Sequence, residues 1–542
     1  MALFPCILLQ QEIRRKKMKR VKKIIALALT TALIAVSLTG CGSSSTTTSS
    51  APSNSAPNPN DTLIYAQGAE PRGLDPALVD DGESAKVMSN IYEGLLKYNK
   101  DSTKVEPSLA KSWDVSTDGL TYTFHLQEGV KFQDGTDFDA DAVKVNIDRQ
   151  LPPQVTQDMA YASFVYGSVK NVEVVDKKTV KVNLTAPSTP FLANLAMIMA
   201  APIVSPKALK DNNNNVNQAP VGTGPYKFVK WDKDQSIVLV RNDQYWGTKA
   251  LTKNVIFKFI KDNSARVVAL NNGEADIIDG IDATVAKQIT DAGNKLFQAP
   301  GMNINYMAYN TSKKPFNDQK LRVAISQAIN VPEMVKSLYQ GYSEPATSVL
   351  PTFMEGYDKG ISQVAYDPTA AAKTLKDAGL TSLHMITYTN PRPYNAATGQ
   401  VLGEAIQGYL SKVGVKVTID SYDWTTYKQK VKAGDYDIAF YGWIGDNGDP
   451  DNFMYLLSVD DPSMNIALYK NAEFNGLIAK GLVTPAGAQR NAIYTQLEKI
   501  AAADAAWLPI SHAQTLCAYK PSVQNFYFHM TGITPFAGVS KK

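Results

Sequence analysis

Few residues of this chain are equipped for chemistry, and their spacing excludes most of it. The four histidines, His125, His384, His512 and His529, stand far apart, and none has a metal-ligand spacing to a cysteine. The G-x-S-x-G elbow, the H-E-x-x-H pair and the G-x-x-x-x-G-K phosphate loop are all missing. His125 falls in an alternating stretch and reads as structural. The densest acidic segment, Asp446-Asn447-Gly448-Asp449-Pro450-Asp451, would suit calcium, but it misses the D-x-[DN]-x-[DN]-G spacing and carries Pro450 where a ligand carbonyl would be needed. Of the three cysteines, Cys6, Cys41 and Cys517, the last lies in a mainly apolar stretch and reads as a small buried hydrophobe. No catalytic residue, metal or cofactor is therefore expected. A body this large without a catalytic cluster favours binding.

The chain has 542 residues and a formal charge of +4. Residues 1–40 hold eight of the 55 Lys and Arg but one of the 51 acids, leaving 47 basic against 50 acidic residues beyond them. The basic surplus belongs to a leader, so nucleic acid loses its main support as a partner. Behind the basic cluster Arg14–Lys23 comes the apolar run Ile24–Val36, too short for an ordinary transmembrane helix and suited to a secretory signal. Leu38-Thr39-Gly40-Cys41 resembles the lipobox of bacterial lipoproteins, which implies a diacylglycerol on Cys41 and a durable membrane anchor. Met18 also opens a conventional signal. The Ser/Thr/Pro-rich stretch 42–60 lacks large apolar side chains and reads as a flexible tether, on the order of 25 Å r.m.s..

The elements that must position any site alternate along the body. Strands are expected at Thr62–Ala66, Leu120–Leu126, Ser236–Arg241 and Val255–Ile260, with a hairpin formed by Val172–Val175 and Thr179–Leu184. Helices are expected at Ser264–Asn272 and Thr284–Ala292, and another capped by Asn317 and running to Ile329. Asp211–Asn217 reads as a solvent-exposed connection. In the last third, strands at Leu383–Tyr388, Val415–Asp420 and Tyr436–Tyr441 alternate with helices at Ala397–Val413 and Trp424–Ala433. That is the pattern of a parallel α/β sheet.

Several segments, in order, resemble the solute-binding proteins of peptide-importing ABC transporters, the dipeptide/oligopeptide family. They are Pro71-Arg72-Gly73-Leu74-Asp75-Pro76, Pro107–Trp113 with Asp118–Phe124, Val221-Gly222-Thr223-Gly224-Pro225-Tyr226, Tyr245-Trp246 and Pro315-Phe316-Asn317-Asp318. Asn390-Pro391-Arg392-Pro393-Tyr394-Asn395 and Gly442-Trp443-Ile444-Gly445-Asp446 are similar to the dipeptide-binding members. The resemblance implies an α/β, two-lobed periplasmic-binding-protein-like fold (type II, cluster C-like), with an extra inserted domain and a hinge cleft. It places a signal peptide at 1–40, the lipidated Cys41 and its tether at 41–61, and lobe I at 62–95, 218–303 and 506–542. The inserted domain falls at 96–217 and lobe II at 304–505.

By the same resemblance, Asp446 holds a peptide's α-ammonium and Arg392 its carboxylate. Trp443, Gly445 and Tyr394 stand beside them, with Gly82, Glu83 and Ser84 in a further ligand-contacting region. Charge-assisted hydrogen bonds suit both ends of a zwitterion taken from water. Two charges held at a dipeptide's span also make a ruler, since each extended residue adds about 3.3–3.6 Å. Asp81 and Glu83 depart from the subgroup's usual residues and would favour basic side chains. The implied partners are a short peptide, membrane permease subunits with cytoplasmic ATPases behind them, and the membrane itself through the lipid, the protein being a monomer outside the cytoplasm. Another solute (haem, a nickel complex or an opine) is the alternative, and an exported hydrolase is the reading from a different class.

Overall fold

The computed structural model describes residues 61–542 apart from Gln363. The expected leader, lipidated Cys41 and tether up to residue 60 lie outside the described residues. Among the described residues no helix is long and apolar enough to cross a membrane.

A long mixed sheet runs through two blocks. In the first, Thr62–Gln67 pairs in parallel with Asn254–Phe259 and Ile277–Asp279, and Ser236–Arg241 and Tyr226–Asp232 extend the edge antiparallel. In the second, Ser382–Tyr388 lies parallel to both Lys416–Tyr422 and Ile438–Ile444, as the strand–helix alternation predicts. Asn303–Tyr309 then joins antiparallel. The connecting helices Gly399–Lys412 and Trp424–Ala433 supply the crossovers that parallel strands need. Asp423 caps the second of these, and Gly434, left-handed at φ 69°, ends it.

One strand belongs to both blocks. The first half of Trp507–Tyr519 pairs with Asn303–Tyr309, while its second half pairs with Ile277–Asp279 and Lys295–Pro300. The chain therefore crosses between blocks twice, at Gly301-Met302 and near Ala513. A Cβ on Gly301 would meet the Ala513 carbonyl oxygen at 2.4 Å, so only glycine lets the two crossings lie this close. The apolar cores follow the same division. One gathers residues 302–510 and two others gather residues of the first block.

A further core spans Leu95 to Ile203. It sits on a separate antiparallel sheet ordered Ala110–Val115, Thr121–Leu126, Thr179–Leu184, Val169–Asp176. Thr121–Leu126 buries every second side chain, as its alternation predicts.

Two local expectations change. The helix after Pro315 is Gln319–Gln327 and its cap is Asp318, not Asn317, because the Asp318 carboxylate accepts the Lys320 N–H. The 211–217 connection is not wholly exposed. Val216 is buried, and its N–H and the Asn217 amide oxygen bind Asp75 and its backbone. Buried backbone and carboxylate groups need partners, and this loop supplies them.

Candidate functional site

The crossing strands floor a cavity of about 720 Å³ between the two sheet blocks. Gly301, Met302, Asn303 and Ala513 form the floor, Glu83, Lys86 and Asp279 stand on the first block's side, and Arg392 and Ile444 on the second's. The volume falls within the range of small-molecule sites.

Arg392 sits on a tight loop closed by two backbone hydrogen bonds with Asn395, 3.0 and 2.8 Å. Its guanidinium lies 4.0 Å above the Trp424 ring, which is itself packed against Tyr388 and Tyr441. Stacking on an aromatic face fixes the plane of the fork without neutralising it. Among the described residues no carboxylate pairs with Arg392, and its Nε is buried without a hydrogen-bond partner.

Asp446 lies past the end of Ile438–Ile444, off the cavity wall. Its Oδ1 accepts the Tyr161 hydroxyl at 2.5 Å, from the side of the separate antiparallel sheet, against whose core Tyr161 packs, and its Oδ2 accepts the Asn452 amide at 3.2 Å. Asn452 also accepts the Asp446 N–H and the Trp443 indole N–H, both at 2.9 Å, so one amide locks all three groups. Burial raises the Asp446 carboxyl above its ordinary value, opposed by the two hydrogen bonds. No cation pairs with it among the described residues. The loop is gripped further by Asn447 on Asn194 at 2.5 Å and by Thr103 on the Gly448 carbonyl at 3.2 Å.

The remaining expected residues are nearby but differently employed. Glu83 reaches the cavity. Gly82 opens the helix Gly82–Ile91, whose cap is Asp81. Ser84 is buried, and its hydroxyl donates to Asp81 at 2.7 Å and accepts the Arg72 N–H, so it serves the chain. Tyr394 is buried against Gly442, where a Cβ would lie 2.2 Å from its ring. Gly445 donates its N–H to Met302 at 2.8 Å and has no room for a side chain beside Phe453.

The sequence reading missed Lys86, Asp279, Tyr161 and Trp424. Lys86 had a signal, the i,i+3 spacing from Glu83 on one helix face; it donates to Glu83 at 2.9 Å and also to Asp279. Tyr161 and Asp279 had none, because their partners lie 285 and 193 residues away.

The histidines play other parts. His125 and His384 pair with Asp114 and Asp420, each at 2.9 Å, whereas His512 and His529 are buried against backbone carbonyls. Cys517 is a buried free thiol whose proton burial holds on. Among the described residues no group of His, Cys, Asp or Glu is arranged to hold a metal ion.

Residues 104–465 match the family described as bacterial extracellular solute-binding proteins, family 5 Middle. Haem-binding protein A of Haemophilus influenzae is 32% identical over 94% of this chain and 98% of its own length. The dipeptide-binding protein of Escherichia coli is also 32% identical, over 88% of this chain and 94% of its own. Among solved structures, the ABC transporter-associated periplasmic binding protein DppA of Helicobacter pylori, in complex with the peptide STSA, superposes with a TM-score of 0.71 at 32% identity. It covers 89% of this chain and 98% of that one.

Proposed function

Since the chain belongs to the family 5 extracellular solute-binding proteins, the receptors of ABC importers, we propose that its solute is a short peptide, dipeptides foremost. Members of this family bind and deliver solutes and are not enzymes. They work outside the cytoplasm, on a two-lobed α/β fold. In this reading Asp446 receives the α-ammonium, Arg392 the carboxylate, and Trp443 walls the ammonium side. Closure of the two lobes on the peptide makes the form a permease recognises. Cys41 carries the lipid that holds the receptor at the membrane.

One observation carries this reading. Asp446 is a part-buried carboxylate that pairs with no cation among the described residues, and Arg392 is a guanidinium on the cavity wall that pairs with no carboxylate among them. Uncompensated charge away from water is costly. A zwitterion supplies both counter-charges at once.

The likeness to a haem-binding protein supports a second reading, in which Arg392 would meet a propionate. Against it, none of the four histidines lines the cavity, so a histidine axial ligand would have to come from elsewhere. Calorimetric titration with di-, tri- and tetrapeptides, beside an absorbance titration with hemin, separates the two. Peptide binding that is lost on N-acetylation or C-terminal amidation supports the zwitterion. Equal binding of the blocked peptides, or a Soret shift with no peptide heat, overturns it. Tetrapeptides binding as tightly as dipeptides would remove the ruler and leave the rest.

A further inference from the structure

The cavity extends beyond Arg392, and its opposite wall is charged. Arg392 and Lys86 are the cations on the wall, and Glu83, Asp279 and Asp282 the carboxylates. Asp279 is engaged by Lys86 and by the Tyr65 hydroxyl at 2.7 Å. Asp282 is engaged by the Thr284 N–H and by the Asn263 amide at 3.0 Å. Glu83 uses Oε2 for Lys86, and its Oε1 carries no hydrogen bond among the described residues. A peptide carboxylate on Arg392 would cancel that cation. Lys86 is already shared between two carboxylates, so the wall keeps a negative surplus.

The same cavity is also lined by the apolar side chains of Met302, Leu338, Ile444, Phe528 and Met530. Such a lining suits a methylene stem that ends in a charged head. We propose that Glu83 is a specificity-determining residue, and that the cavity selects peptides whose C-terminal residue is lysine or arginine. The aliphatic part lies on the apolar lining, and the ammonium or guanidinium reaches Glu83 Oε1. This inference rests on the peptide reading, because the carboxylate on Arg392 is what directs the neighbouring side chain into the cavity.

The test is calorimetry with Ala-Lys and Ala-norleucine, which share the stem and differ in the charged head. On the wild-type protein, Ala-Lys should bind about tenfold or more tightly, the worth of one charge-assisted hydrogen bond in a partly desolvated site. In Glu83→Gln that ratio should fall to within about threefold. Glu83 is partly exposed and caps nothing, so the variant is expected to fold, and the wild-type ratio is decisive without it. A wild-type protein that does not prefer Ala-Lys, or a Glu83→Gln protein that keeps the preference, overturns the inference. Arg392→Ala tells its failure from that of the peptide reading. Ala-norleucine binding that depends on Arg392, with no lysine preference, overturns only the specificity. If neither peptide binds, both fail.

Discussion

Asp446 and Asp449 stand on one loop and have opposite surroundings. Asp449 is buried and receives both arms of Arg490, each at 2.8 Å. Asp446 is half-buried, and its partners are a phenol and an amide. The same contrast separates Arg392, stacked on Trp424 without a carboxylate, from Arg149, whose fork is closed on Asp75 at 2.5 and 3.2 Å. Pairs that satisfy each other hold the fold together and have nothing left for a ligand. The charges left open keep their binding capacity. Stability and recognition are thus assigned to neighbouring residues of the same type.

Breaking a closed pair should have the largest effect. Arg490→Ala leaves a buried carboxylate alone and is expected to cost about 3–5 kcal/mol in denaturant unfolding. A loss below about 1 kcal/mol would put Asp449 in the same class as Asp446. Arg392→Ala should reverse the pattern, with unfolding changed little and peptide affinity falling by about 2 kcal/mol or more, roughly thirtyfold, in calorimetry.

Gly448→Ala sharpens the comparison at the level of packing. A Cβ there would lie 2.0 Å from that of Thr103, so the grip on the loop must loosen, at about 1–3 kcal/mol in thermal unfolding.

The smallest effect is in pH. Burial raises the Asp446 carboxyl, and an ammonium needs it ionised. Peptide affinity should therefore fall as pH drops through a value above the ordinary 3.8, and Asp446→Asn should flatten that limb. Asp451 and Glu498 are both pushed up to about 7 by burial. For a carboxyl raised in the folded state, the stability contribution is present at low pH and is lost as pH rises toward 7. Asp451→Asn should thus gain on the wild type by about 1 kcal/mol at pH 8, and not at pH 4.

Much of the fold was legible because its signals are local. The alternation in Thr121–Leu126 and the strand–helix rhythm from Leu383 onward set side chains on one face or another whatever lies beyond. The Asn317/Asp318 cap shows the limit. Both residues can cap, and only the backbone conformation selects the one whose carboxylate meets the Lys320 N–H. The 211–217 connection shows the limit again, since its polar composition says nothing of Asp75, whose buried carboxylate draws Val216 inward.

The sequence by itself determined that the basic surplus lies in residues 1–40, that no familiar catalytic cluster is present, and that Arg392 and Asp446 sit in motifs resembling those of peptide-binding receptors. Only the tertiary structure decided which charges are closed and which are open. Asp449 with Arg490, Asp446 with Tyr161, and Lys86 with Asp279 are separated by 41, 285 and 193 residues. A charge is neutralised by what lies within a few ångströms, and distance along the chain does not set that. Whether an aspartate steadies the fold or waits for a ligand depends on the partner that folding brings to it.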